Sequence, residues 1–123
     1  MKIIILGDPR TKKNSQRLVR RGLRMIPIVS EAYAQYRDDF IRQITGDKRK
    51  LIDFPINLKC EYYMATRRKV DLVNLLEATC DILVDAHVLL DDNSQIIVSH
   101  DGSRVRHDKM NPRVEIEISE VYE

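Results

Sequence analysis

The stretch Val70-Asp71-Leu72-Val73-Asn74-Leu75-Leu76-Glu77 begins a helical pattern that continues to Val84. Apolar positions recur on two sides of this helix, one with Leu72, Leu76, Thr79 and Leu83 and the other with Leu75, Ala78 and Ile82. A helix that is apolar on two sides is largely buried, so we expect it in the core. Asp71 is at or near the N-cap, a position where aspartate is favoured.

Charge is distributed unevenly around this helix. The segment from Asp71 to Asp92 contains six acids and no Lys or Arg: Asp71, Glu77, Asp81, Asp85, Asp91 and Asp92. Arg67-Arg68-Lys69 comes directly before it, and the segment from Pro9 to Arg24 contains seven bases and no acid. In a chain whose net charge is only +2, this asymmetry favours a polyanionic partner, with nucleic acid first among them. The alternative is a charge-balanced, solvated surface.

The N-terminal part of the chain is predicted to be extended. Lys2–Leu6 is a β-branched run closed by Gly7-Asp8-Pro9, and its continuous apolar character predicts a strand that is buried on both faces. Arg10–Arg24 has little apolar periodicity, which indicates a loop or a loose hairpin. Pro27 makes Met25–Val29 extended rather than helical.

A second helix and a long strand come next. Ser30 is a candidate N-cap and Gly46 a candidate C-terminal stop for a helix whose apolar face is Tyr33, Tyr36, Phe40, Ile41 and Ile44. This aromatic stripe favours core packing over a platform for stacking bases. Phe54–Met64 alternates between apolar and polar residues, so we expect a strand with one buried face.

The C-terminal part completes an α+β fold. Gln95–His100 and Val114–Ile118 are predicted strands on either side of a polar loop, Asp101–Pro112. The order is strand, helix, strand, helix, strand, strand, which we interpret as a mixed β-sheet with two main helices. At 123 residues and 43% hydrophobic composition, the chain is expected to be a single domain over residues 1–123.

Several classes of protein are disfavoured. Cys60 and Cys80 lack metal-binding or disulfide spacing and are expected to be buried free thiols in a reducing compartment. His87, His100 and His107 also lack metal-ligand spacing, although a role as a general base stays open for them. With neither a signal peptide nor a membrane-length apolar run, we expect a soluble, cytoplasmic protein without a membrane partner.

Carboxylates on either side of the central helix are candidate metal ligands. Hydrolysis of a phosphodiester is usually assisted by divalent ions, which activate water and neutralise charge on the phosphate. Magnesium needs few protein carboxylates and keeps several waters, so two or three of them with an amide oxygen would suffice. Spacing alone also allows purely structural roles, with Asp71 as an N-cap and Asp91-Asp92 in a turn.

These residues resemble the signature of the RusA-type Holliday junction resolvases. The similar segments are Asp71-Leu72-Val73-Asn74-Leu75, Asp81-Ile82-Leu83 and Asp91-Asp92-Asn93-Ser94-Gln95-Ile96, with a basic loop at Lys12-Lys13-Asn14 and Asn111-Pro112-Arg113 before the last strand. The resemblance implies a RusA-like fold and a homodimeric endonuclease that depends on Mg²⁺, or on Mn²⁺ in its place. Its substrate would be a four-way junction or another branched DNA.

The resemblance also implies which residues carry the chemistry. It gives catalytic roles to Asp71, Asn74, Asp91 and Asp92, the three aspartates also binding the metal. Val73 stands where the family has a second aspartate, and Glu77 where some members have a functional lysine. Because Glu77 lies one turn after Val73 and helical side chains lean toward the N-terminus, we add Glu77 as a catalytic and metal-binding residue. The alternative is a solvent-facing Glu77.

Basic residues near these acids are the candidate DNA-binding set. It comprises Arg67, Arg68 and Lys69 beside Asp71, the loop residues Lys12, Lys13 and Asn14, and Lys109. The leading interpretation is a structure-selective endonuclease acting in DNA recombination and repair, since a symmetric dimer matches a symmetric junction. One alternative is a non-cleaving protein of the same fold that binds branched or single-stranded DNA. Another is a small protein-interaction domain with charged surfaces.

Overall fold

The computed structural model describes residues 1–12, 16–22, 24–29 and 31–122, with backbone alone for residues 16–21 and 24–29. The elements in these ranges are β1 (Lys2–Leu6), β2 (Gln16–Arg21), β3 (Arg24–Val29), α1 (Glu31–Gln43), β4 (Ile56–Met64), α2 (Leu72–Asp85), β5 (Ile97–Ser99), β6 (Arg104–His107) and β7 (Arg113–Glu120). A single 3₁₀ turn at Gly46–Lys48 follows α1. The predicted α+β class with a mixed sheet and two main helices is confirmed, and the hairpin β2–β3 and the short strand β6 add to the predicted order.

A five-stranded sheet forms the centre of the molecule. Its order is β1-β7-β4-β5, and β6 also pairs with β4. β7 is antiparallel to both β1 and β4, whereas β5 and β6 run parallel to β4. β5 pairs with the start of β4 and β6 with its end, from Glu61↔Arg104 to Met64↔His107. The last strand of the chain therefore lies inside the sheet.

Both helices cover the same face of this sheet. The alternating residues of β4 are buried in one cluster with apolar residues of α1 and α2: Ile56, Leu58, Cys60, Tyr62 and Met64. In α1, Tyr33, Tyr36 and Phe40 are buried, and in α2 the buried set includes Leu75, Ala78, Ile82 and Leu83. The predicted core faces of the long strand and of both helices are thus confirmed.

The basic N-terminal segment contains a separate two-stranded hairpin. β2 and β3 pair antiparallel, with Leu18 opposite Pro27 and Arg21 opposite Arg24. Gly22, in the turn, has φ +61°, a left-handed conformation that glycine adopts without a steric penalty. Of the two predicted alternatives the structure has the hairpin, and Met25–Val29 is extended as expected.

Three local predictions were wrong. β1 is buried on one face only, because the helices cover one side of the sheet and leave Ile4 and Leu6 exposed. α1 ends at Gln43 rather than at Gly46, which begins the 3₁₀ turn. The predicted loop Asp101–Pro112 contains β6, whose four residues are all exposed and so carry no apolar pattern. The proposed N-cap Ser30 lies outside the described residues.

Other sequence expectations can be compared with the structure directly. Cys60 and Cys80 are buried free thiols, as predicted, and burial raises the pKa of each to about 12. Within the described ranges, neither helix has the length and apolar character needed to cross a bilayer.

Candidate active site

The N-terminal end of α2 presents Asp71 and Asn74. Asp71 occupies the N-cap position with an extended backbone, and its main-chain oxygen accepts the amide hydrogen of Leu75 at 3.1 Å. Its carboxylate makes no capping hydrogen bond to the helix; instead, Asn74 Nδ2 donates to Asp71 Oδ2 at 3.2 Å. Asp71 is exposed. An N-cap aspartate whose carboxylate is not used for capping remains available for a ligand, so the purely structural role is not what this geometry favours.

A line of acids runs along α2 beside α1. Glu77, Asp81 and Asp85 follow one another at four-residue spacing, which places them on one side of the helix. Their negative charges add to burial in raising the pKa of the α1 residue Tyr33 to about 12. Lys12 Nζ lies 2.9 Å from Asp81 Oδ2, and Arg37 Nη2 lies 3.1 Å from Asp85 Oδ2. Two of the three acids are therefore neutralised by cations from other elements.

The turn after α2 gives Asp91 and Asp92 different environments. Asp91 Oδ1 accepts the backbone N–H of Asp92 at 2.8 Å, and Asp91 Oδ2 accepts from Asn93 Nδ2 at 3.1 Å. These hydrogen bonds to the ionised form, the Asp92 amide first, lower the pKa of Asp91. The pKa of Asp92 is raised, first by partial burial, then by its contact with Asp91, then by the charge of Asp81. Asp91 thus stabilises the turn, and Asp92 is a carboxylate held among other carboxylates.

Asp71 and Asp92 lie beside different parts of α2. Asp81 is the helix residue whose charge shifts the pKa of Asp92, and Asp92 likewise acts on Cys80. Asp81 comes ten positions after Asp71, which at 1.5 Å per residue is roughly 15 Å along the axis. Among the residues that the structure describes, no group of three or more His, Cys, Asp or Glu side chains is arranged to hold a metal. Within the described residues, the predicted set is therefore divided between two places along α2.

Glu77 lies between these two places. Val73, one turn earlier, is 72% exposed, so the position that the resemblance assigns to a second aspartate faces solvent. Glu77 is also exposed, and within the described residues it has no ion-pair partner. The helical spacing allows its carboxylate to approach Val73, but the solvent-facing alternative fits the same observations.

The predicted DNA-binding residues differ in how they are held. Arg67, Arg68 and Lys69 are exposed in the connection from β4 to α2, next to Asp71. Lys109 is exposed in the turn after β6. Lys12 is held by Asp81, so its ammonium group lies within the acidic line. Lys13 and Asn14 lie outside the described residues.

Two basic residues absent from the predicted DNA-binding set lie close to Arg67 and Arg68. Arg106 and His107, at the end of β6, border a cleft together with Arg67 and Arg68. Sequence reasoning placed them in a loop, although the basic pair Arg104 and Arg106 on alternate positions was an available signal for a strand with one basic face.

The family assignment follows from a comparison with protein-family models. The model described as endodeoxyribonuclease RusA matches residues 7–119, nearly the whole chain. The chain belongs to the endodeoxyribonuclease RusA family. This membership confirms the resemblance drawn from the segments around Asp71, Asp81 and Asp91. No match to the chain is found among curated proteins.

Proposed function

We propose that residues 1–123 form one RusA-like domain that acts in the cytoplasm as a structure-selective DNA endonuclease. It would resolve Holliday junctions during recombination and repair, using Mg²⁺, or Mn²⁺ in its place. The observation that supports this most directly is the environment of Asp92. The chain belongs to a family of endodeoxyribonucleases, and its Asp92 carboxylate lies near Asp91 and Asp81 but has no cationic partner within the described residues.

The residues present are suitable for a hard divalent ion. Partial burial first, then the contact with Asp91 and the charge of Asp81, disfavour the ionised form of Asp92, and a bound cation would relieve the repulsion among these carboxylates. Asp71 with the amide of Asn74 offers a second set of oxygen ligands, which are the type that Mg²⁺ prefers. When bound, the ion would supply an activated water and neutralise charge on the scissile phosphate. We propose Asp71, Asp91, Asp92 and Glu77 as its ligands.

A homodimer would explain why these ligands are divided within one subunit. Roughly 15 Å of helix separates Asp71 from the part of α2 that lies beside Asp92. If two subunits pack so that these ends of α2 face each other, each site would combine Asp71 of one chain with Asp92 of the other. Two-fold symmetry would then give two equivalent sites, which suits symmetric cleavage of a four-way junction.

The chain's own residues have distinct parts in this proposal. Asn74 holds the carboxylate of Asp71 at the helix start, and Asp91 fixes the turn that presents Asp92. Lys12 neutralises Asp81, which limits the negative charge near Asp92. Arg67, Arg68, Lys69, Lys12, Lys13, Asn14 and Lys109 are proposed as phosphate contacts. Specificity would come from the shape of the junction and the positions of its phosphates.

The direct test is cleavage of a labelled synthetic four-way junction by the purified protein in Mg²⁺. We expect paired, symmetric nicks from the natural chain and none from Asp92→Asn, with both proteins retarding the junction equally in a gel without Mg²⁺. Retardation without cleavage by the natural chain would contradict the enzyme and favour the alternative, a non-cleaving binder of branched or single-stranded DNA. The exposed Val73, in place of an acid, is the observation that keeps this alternative open. Absence of salt-sensitive DNA binding would instead indicate a protein-interaction domain.

A further inference from the structure

A basic cleft lies where β4 ends and β6 runs beside it. Its volume is about 250 Å³, several times the roughly 30 Å³ that one water occupies in the liquid. Thr66, Arg67 and Arg68 border it from the connection after β4, and Arg106 and His107 from β6. None of the described residues that line the cleft is acidic. The cleft has room for a hydrated anion and cationic groups on two sides.

Parallel pairing of β6 with β4 builds this cleft. Tyr63 is paired with Arg106 and Met64 with His107, so these two residues stand level with the point where β4 ends. The backbone N–H of Asp108 then donates to the carbonyl of Met64 at 2.9 Å and extends the contact by one residue. The basic residues are therefore brought together by the sheet itself and not by a loose loop.

Arg106 is oriented by an acid outside the cleft. Its Nε donates to Glu61 Oε2 at 3.0 Å, and this contact, ahead of Lys59, lowers the pKa of Glu61. An arginine has five N–H donors in a planar fork, so four remain on the two terminal nitrogens. No described residue accepts from those nitrogens. Glu61 thus fixes one edge of the guanidinium and leaves the other edge available for a ligand.

The arginines of the cleft differ from several other arginines in the described chain. Arg37, Arg42, Arg49 and Arg113 all have partners within the protein. Arg67 and Arg68 are exposed and, within the described residues, make neither an ion pair nor a side-chain hydrogen bond. Unpaired arginines grouped around a cleft, with one of them pre-oriented, form an arrangement suited to bidentate binding of a phosphate.

We propose that this cleft binds a backbone phosphate of the DNA substrate, held by Arg106 together with Arg67, Arg68 and His107. This inference rests on the proposed nuclease function and adds a second anchoring point apart from the cleaved phosphate. Arg68 precedes Asp71 by three residues, a span of at most about 10 Å.

Arg106→Gln and Arg104→Gln form a matched pair for testing the cleft. Both positions are exposed on β6 and both changes remove one positive charge, but Arg104 does not line the cleft. Binding of a labelled four-way junction is measured by anisotropy without Mg²⁺, over a range of salt concentrations. We expect Arg106→Gln to weaken binding about tenfold, as for a hydrogen-bonded charge, and to reduce the slope of log affinity against log salt by about one. Arg104→Gln should weaken binding less than about twofold.

Two further variants separate phosphate binding from a structural effect. Glu61→Gln removes the negative charge, but its amide oxygen can still accept from Arg106 Nε and keep the guanidinium oriented, so binding should stay the same or tighten slightly. In the double variant Arg67→Gln/Arg106→Gln, the losses should be less than additive, since both residues contact one phosphate. Equal weakening by Arg104→Gln and Arg106→Gln, or weakening by Glu61→Gln as large as by Arg106→Gln, overturns the proposed phosphate site.

The behaviour of the unsubstituted protein shows whether only the proposed phosphate site is wrong or the proposed nuclease function as well. If it binds and cleaves the junction while Arg104→Gln and Arg106→Gln behave alike, only the cleft assignment is wrong. If it neither binds nor cleaves the junction, the nuclease function is wrong and the cleft assignment fails with it.

Discussion

A buried pair of hydroxyl groups joins α2 to the sheet. Tyr62 Oη and Thr79 Oγ1 are 2.6 Å apart, and Thr79 Oγ1 donates to the carbonyl of Leu75 at 2.9 Å. Because the single hydroxyl hydrogen of Thr79 is used for Leu75, Tyr62 must be the donor to Thr79. Tyr62 is 0% exposed and Thr79 is 2% exposed, so water does not replace a lost partner. The pair ties β4 to the helix that carries Asp71.

The direction of donation makes the two single substitutions unequal. Tyr62→Phe removes a donor but leaves Thr79 bonded to Leu75, so it should lower the free energy of unfolding by about 1 kcal/mol. Thr79→Val keeps the branched shape but leaves the Tyr62 hydroxyl buried without its acceptor, which should cost about 2 kcal/mol. In the double variant neither hydroxyl remains, and the loss should be smaller than the sum of the single losses by roughly 1 kcal/mol.

Urea denaturation followed by circular dichroism measures these differences. Thr66→Val and Tyr122→Phe are the controls, because they make the same chemical changes at exposed positions and should alter stability by at most about 0.5 kcal/mol. Additive losses in the double variant, or a Thr79→Val loss no larger than that of Tyr62→Phe, would refute the assigned hydrogen bonding.

Three further predictions concern the acidic site. Asp92→Asn should raise the unfolding temperature near neutral pH without divalent ions, since the raised pKa of Asp92 means that its ionised form destabilises the fold. The gain should vanish below pH 3.8, where the carboxyl is protonated in both the folded and the unfolded state. An unchanged unfolding temperature at neutral pH would contradict this prediction. Mixing Asp71→Asn and Asp92→Asn subunits should restore single nicks but not paired cuts, because each mixed dimer would contain one site with both the natural Asp71 and the natural Asp92. Complete inactivity of the mixed dimers would argue against sites shared between subunits. Glu77→Gln should slow junction cleavage, and adding Val73→Asp, at a 72% exposed position, should restore the rate. If Glu77→Gln alone cleaves the junction as fast as the unsubstituted protein, Glu77 is only a solvent-facing residue.

The elements that were best predicted from the sequence are those in which buried apolar residues recur at the regular spacing of a strand or a helix. Alternation in β4 and the two apolar sides of α2 follow directly from the geometry of strands and helices. The predictions failed where the exposure of a residue depends on which other elements pack against it. Ile4 and Leu6 are apolar yet exposed, because the helices lie on the other face of the sheet, and β6 forms without any apolar signal.

The candidate site was predictable as a set of residue types but not as an arrangement. The resemblance to the RusA-type segments selected Asp71, Asp91 and Asp92 as candidates, yet it could not place Asp71 and Asp92 at different parts of α2. Nor could it predict that Lys12 pairs with Asp81, a contact between residues 69 positions apart. The cleft at Arg106 depends on a parallel pairing across 43 positions, from Glu61 to Arg104, which local patterns do not encode.

The interior position of β7 affects when the protein can fold during synthesis. Residues 113–120 are hydrogen-bonded to β1 on one side and β4 on the other, so these two strands do not pair with each other. Until residues 113–120 emerge from the ribosome, β1 and β4 lack the strand that pairs with both of them. The apolar faces of the two helices then have no complete sheet to pack against. We therefore expect nascent chains that end before residue 113 to depend on chaperones and to be degraded by proteases. A cell would then encounter the folded domain only after residues 113–120 have been translated and have left the ribosome.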